Sequence, residues 1–221
     1  MHAVPFIISQ TQGEFFWKAY TVLRNKTIMD SFNADWNRLA SVAFLLGDHP
    51  TAAERLKHAY LNDKKLENNA VIADGLGKLY ADALIGFGVH RMANLMCRHS
   101  PHKVWYYEFS YVGERSHYED SNGKPEQAAH HDDLIYLFSL PASFPIINVT
   151  DSEDSKMVDR MTTMVYNFAK NGDPNHPGLV HWPAMTPSSR KYLRVDKECS
   201  IHENLFEDRF KTWEELFPLQ Y

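Results

Sequence analysis

Ala129-His130-His131-Asp132-Asp133-Leu134-Ile135-Tyr136-Leu137-Phe138 sets two histidines and two aspartates directly before an apolar run. A segment rich in β-branched and aromatic residues, Val104-Trp105-Tyr106-Tyr107-Glu108-Phe109-Ser110-Tyr111-Val112, lies shortly before it and reads as a strand. A histidine on a loop after a strand is placed to move a proton, because its unperturbed pKa is about 6.5. For acyl transfer it needs a carboxylate to fix its tautomer and a nucleophile to activate. Asp132 and Asp133 stand where they would cap a short helix beginning near Leu134. A metal centre is the rival reading of the four polar residues. Adjacent side chains point apart on most backbones, and no HExxH or CxxC accompanies them.

Working outward, Val4 to Ile8 is a short apolar run expected to be a buried strand. Phe15, Phe16, Ala19, Tyr20, Val22 and Leu23 keep helical spacing, as do residues 33–46 and 51–62. Between Ala73 and Met96, the set Leu76, Leu79, Tyr80, Ala83, Leu84 and Phe87 fits one face of a single helix. Residues 113–129 are polar, with Gly and Pro, and read as a loop. Thr150-Asp151-Ser152-Glu153 has capping-box spacing. The helix it opens carries Met157, Met161, Met164, Val165 and Phe168 on one face, a core stripe. It ends at Asn171-Gly172, with Pro174 beyond. Tyr192 to Val195 is a short strand, and Leu205, Phe206, Arg209, Phe210, Trp213, Leu216 and Phe217 make a last amphipathic helix before Pro218. Strands separated by long helical stretches predict an α/β fold with a mostly parallel sheet, as one domain over residues 1–221.

Composition bounds the function. The chain has 221 residues, enough for one sizeable core, and its 44% hydrophobic and 23% charged content is that of an ordinary globular protein. A net charge of −5 argues against nucleic acid or an anionic membrane as a partner. No apolar run approaches the roughly 18–20 residues that span a bilayer, and residues 1–5 lack the basic and apolar regions of a signal peptide. The abrupt start, with a strand-like run within a few residues of Met1, suggests the C-terminal portion of a longer protein. Cys97 and Cys199 permit one disulfide, which their spacing does not establish. Two sequons, Asn25-Lys26-Thr27 and Asn148-Val149-Thr150, favour a secreted glycoprotein.

The segment His130-His131-Asp132-Asp133-Leu134-Ile135-Tyr136-Leu137-Phe138 resembles the histidine loop of the carboxylesterase/cholinesterase family, most closely its insect carboxylesterase branch. That family writes a catalytic His, a small or polar residue, an acidic pair, then Leu and an aromatic-rich run. Val4-Pro5-Phe6-Ile7-Ile8-Ser9-Gln10-Thr11-Gln12-Gly13-Glu14 resembles the strand and turn presenting the family's acidic triad member. Phe168-Ala169-Lys170-Asn171-Gly172-Asp173-Pro174-Asn175, His181-Trp182-Pro183 and Tyr192-Leu193-Arg194-Val195 resemble later landmarks, in the family's order. The resemblance implies the C-terminal part of an α/β-hydrolase fold, with Glu14 as the acid and His130, the first of the pair, as the base. The chain departs from the pattern at Ser9 and Phe15, where the family usually has Gly.

The triad order in this fold is Ser, then Asp or Glu, then His, and Glu14 before His130 obeys its last two steps. Without the resemblance, Glu14 reads as a solvated helix N-terminal acid and His130 as a surface loop histidine. No Gly-x-Ser-x-Gly and no His-Gly-Gly-Gly-type loop occurs. Ser9, Ser31 and Ser41 lack the glycine context, and only Ser9 precedes the acid. The expectation is therefore two triad members of three, the serine belonging to a missing N-terminal half. The substrate implied is a small-molecule carboxylic ester, with no cofactor. The alternatives are a non-catalytic cholinesterase-like binding module and an inactive truncated product.

Overall fold

The computed structural model describes residues 4–119, 123–147, 150 and 152–219. The chain forms two compact units. The sheet unit comprises the chain up to Gln12 together with Val89–Leu205, and the helical unit comprises Gly13–Gly88 and the chain from Phe206 onward.

The sheet unit holds four strands, β1 (Phe6–Thr11), β2 (Val104–Phe109), β3 (Lys191–Val195) and β4 (Ser200–Glu203), ordered β1-β2-β3-β4. The first three run parallel, with Phe6 opposite Val104, Thr11 opposite Phe109, and Phe109 opposite Val195. β4 turns back antiparallel on β3. Every residue of β2 is buried, as expected of a central parallel strand covered on both faces. Its alternate residues Trp105, Tyr107 and Phe109, continued by Tyr111, meet Met157, Met161 and Met164 of α7 (Glu153–Asn171). Phe168, a turn further along α7, sets its ring edge against Trp105 at 5.9 Å.

The sequence reading of α7 holds at its end and fails at its start. Gly172 closes the helix at φ 70°, a left-handed position that glycine adopts without a Cβ penalty. The N-cap is Ser152, which accepts from the Ser155 N–H at 3.1 Å, rather than the predicted Thr150 box. Val165, expected on the core face, is 41% exposed. The Asn148-Val149-Thr150 sequon lies largely outside the described residues.

In the helical unit, α1 (Lys18–Arg24), α2 (Lys26–Ala34), α3 (Trp36–Ala43), α4 (Ala52–Leu61), α5 (Ala70–Ala81) and α8 (Glu207–Leu216) enclose a core including Leu23, Phe44, Leu56, Leu76, Leu79 and Phe210. The predicted helix over 33–46 is two helices. Asp35 breaks it at φ −145° and caps α3 by accepting from the Arg38 N–H. The single helix predicted beyond Ala73 is also interrupted. A π-helical turn, Asp82–Gly86, joins α5 to α6 (Phe87–His99), and the wider turn rotates the later residues off the first face. Leu76 and Leu79 are fully buried, whereas Ala83, Leu84 and Phe87 are only partly so.

Asp82 is 1% exposed inside this turn. Its carboxylate accepts from Tyr60 Oη at 2.6 Å and from Arg209 Nε and Nη2 at 2.8 and 2.6 Å, and Trp213 Nε1 donates to Tyr60 Oη at 2.8 Å. Burial pushes the Asp82 carboxyl above its usual range, against the opposing pull of Arg209. The π turn aims this carboxylate into the core, where Arg209 neutralises it. Cys97 and Cys199 are both free, and burial pushes both thiols up, away from the reactive thiolate.

Candidate active site

Glu14 and His130 belong to different units: Glu14 opens the helical unit and His130 lies in the sheet unit. In sequence, Glu14 follows β1 and His130 lies in the connection after β2. Glu14 comes three residues after Thr11 ends β1, in consecutive tight turns where the Phe16 N–H donates to Gly13 O at 2.6 Å and the Lys18 N–H to Phe15 O at 3.0 Å. It is 3% exposed, and the first turn of α1 carries no acid. The solvated helix N-terminal acid is therefore ruled out.

His130 sits in the turn leading to a short 3-10 helix, Leu134–Tyr136, in the connection after β2. Asp132 and Asp133 were expected to cap that helix, and neither does. Asp133 stands at the N-cap position without a capping bond, and its Oδ2 accepts instead from the Tyr107 hydroxyl of β2 at 2.9 Å. Asp132, 5% exposed, reaches back across the loop. It accepts from Ser116 Oγ at 2.9 Å, the His117 N–H at 2.8 Å and the Ala129 N–H at 2.8 Å. Burial pushes the Asp132 carboxyl up, while the N–H donors of His117 and Ala129 pull the other way. This carboxylate pins the residue before His130 to a strand of loop 13 residues earlier.

Ser116 is the partner of Asp132 that sequence reasoning missed. Residues 113–129 read only as a polar loop, and no period or spacing links a serine to an aspartate 16 positions on. Two adjacent side chains nonetheless come together in this turn. The His130 and His131 rings lie 3.9 Å apart, centroid to centroid, and His131 adopts φ 74°. Among the described residues, no group of three or more His, Cys, Asp or Glu is arranged to hold a metal ion.

A mostly parallel sheet with helices against it has the pattern of the α/β-hydrolase fold. The crystal structure of juvenile hormone esterase from Manduca sexta with OTFP covalently attached shares this fold, with a TM-score of 0.74 over 98% of this chain and 42% of that one, at 20% identity. The chain belongs to the carboxylesterase family, whose model matches residues 1–213. It is 28% identical over 220 residues to a medium-chain fatty acyl-CoA hydrolase precursor of Anas platyrhynchos, covering 98% of this chain and 38% of that protein. It is 26% identical over 206 residues to juvenile hormone esterase of Tribolium castaneum, covering 87% and 34%. The chain thus spans under two fifths of the length of these relatives. No described helix is long and apolar enough to cross a membrane.

Proposed function

We propose that this chain is the C-terminal portion of a carboxylic ester hydrolase, in which Glu14 orients His130 and a preceding segment supplies the serine. The family match over nearly the whole chain carries the reading. The burial of Glu14 and the braced turn around His130 support it. In the completed enzyme, His130 takes the serine proton as the serine oxygen bonds to the ester carbonyl carbon. It returns that proton to the departing alkoxide, and water then releases the acid by the same relay. Glu14 accepts from the other ring nitrogen and stabilises the imidazolium. The relatives' names, an acyl-CoA hydrolase and a hormone esterase, extend the candidate substrates to carboxylic esters and thioesters with apolar acyl groups.

The first experiment measures p-nitrophenyl ester hydrolysis by the 221-residue chain, alone and co-expressed with the N-terminal half of a family member. The chain alone should match its His130→Ala variant, because it has neither an elbow serine nor oxyanion donors. The completed protein should turn over ester, lose activity to a serine-directed organophosphate, and drop by about 10²-fold or more in Glu14→Gln and His130→Ala. A structure of that complex should put a Glu14 oxygen within about 3.5 Å of a His130 ring nitrogen. Organophosphate-sensitive activity from the isolated chain would overturn the reading and make Ser9 the first serine to test. A completed protein without activity would favour the binding module or the inactive product.

Glycosylation is a second element of the proposal. Asn25 is exposed, and its Oδ1 caps α2 by accepting from the Ile28 N–H at 3.1 Å. A mass shift on amidase treatment of secreted protein, absent in Asn25→Gln, tests it.

A further inference from the structure

The plane of a histidine ring turns about a broad, weakly preferring torsion, so a general base needs contacts that fix it. One such contact comes from the residue next to it. His131 adopts φ 74°, a region that L side chains with a Cβ rarely occupy. Its backbone is held there by bonds on both sides: the Asp132 N–H donates to Ala129 O at 2.9 Å and the Leu134 N–H to His131 O at 2.9 Å. Its ring forms a tilted pair with that of His130, with centroids 3.9 Å apart and planes at 34°. His131 is itself backed. The edge of His117 meets it at 5.4 Å, and Phe144 stands 5.3 Å from His117 and 6.5 Å from His131. The Asp132 carboxylate ties both ends of this stack, through the His117 N–H on one side and the Ala129 N–H on the other.

We propose that His131 is a positioning residue for His130, a ring shelf backed by His117 and Phe144 that holds the His130 imidazole in one plane. The proposal rests on the reading of His130 as the general base. A glycine at position 131 would adopt φ 74° without a Cβ, so the turn by itself gives no reason for a bulky ring there. The ring makes sense as a surface for its neighbour. With His130 as the base, His131 carries no proton in the reaction, and its contribution is to orientation.

The test uses the 221-residue chain with isotope-labelled histidine and two variants. His131→Gly suits the backbone and removes the shelf. His131→Phe keeps a ring and removes its nitrogens. In the wild type, the carbon-bound protons of His130 should carry an upfield ring-current displacement. His131→Phe should retain it and His131→Gly should lose it. In the enzyme completed with its N-terminal half, His131→Gly should lower kcat by about 10-fold with KM changed by less than about two-fold, since orientation is lost and binding is not. His131→Phe should recover most of that loss. Unchanged His130 shifts in His131→Gly would overturn the proposal. So would a wild-type kcat in His131→Gly, or no recovery in His131→Phe. A ring-current shelf present in a completed protein that hydrolyses no ester would instead sink the ester-hydrolase reading and leave the shelf standing.

Discussion

Both units bury carboxylates, and Asp82 and Asp132 are satisfied in opposite ways. In the helical unit, Asp82 meets a cation: Arg209 binds it bidentately and Tyr60 adds a third donor. In the sheet unit, Asp132 meets a hydroxyl and two backbone N–H groups. The first ties the π turn after α5 to α8 across 127 positions of sequence. The second ties one stretch of loop to another 16 positions on. Here the charge pair joins a turn to a helix, whereas the hydroxyl and N–H donors to Asp132 join two stretches of loop. The difference separates a carboxylate that holds the fold from one that holds a turn beside a candidate catalytic residue.

The comparison breaks most sharply at Arg209. Arg209→Met strands a buried charge, and removing one partner of such a pair costs about 3–5 kcal/mol. Urea unfolding should show that loss. An Asp82→Leu, Arg209→Met double variant should regain most of it, because an apolar pair has no desolvation cost to repay. A double variant as unstable as the single one would show that the network matters for its shape and not its charge.

At Asp132 the expected effect is smaller and more local. Asp132→Ala leaves the Ser116 hydroxyl and the His117 and Ala129 N–H groups without their acceptor, for about 2–4 kcal/mol in all. Asp132→Asn keeps one acceptor oxygen and should lose about half as much. Amide hydrogen exchange should speed up at His117 and Ala129 in these variants, with α4 and α5 unchanged. Uniform acceleration through both units would erase the distinction drawn here.

The smallest effect is shared by both units and appears at alkaline pH. Burial pushes Tyr80 in the helical unit and Tyr192 in the sheet unit up from 10.0 to about 12. A raised folded pKa favours the neutral hydroxyl in the native state. That stability is complete below pH 10 and is lost as pH rises from 10 towards 12, at less than the roughly 2.7 kcal/mol per tyrosine that such a rise implies, because solvent screens these partly buried groups. Tyr60, Tyr111 and Tyr136 are pushed in the same direction. Phenolate absorbance should therefore lag behind that of free tyrosine and then rise together with unfolding. Early, independent ionisation of Tyr80 or Tyr192 would contradict their burial.

The sequence by itself determined what short-range pattern and motif order can carry. β-branched and aromatic enrichment marked β2 and β3, the methionine stripe and Gly172 marked α7, and the ordered landmarks marked the family. The tertiary structure decided whatever depends on partners distant in sequence. Asp82, inside the π turn, meets Arg209 of α8, 127 positions away in sequence. Ser152 displaces Thr150 as the cap of α7, a choice between two hydroxyl residues that spacing does not resolve. β4 pairs with β3 although Ser200-Ile201-His202-Glu203 has no apolar alternation, since an edge strand needs only one neighbour's hydrogen bonds. Asp132 turns from its predicted helix cap to Ser116, and His131 folds back over His130. A local motif names residues that are able to do chemistry. Where their side chains point is set by donors, acceptors and rings that the folded chain alone brings within a few ångströms.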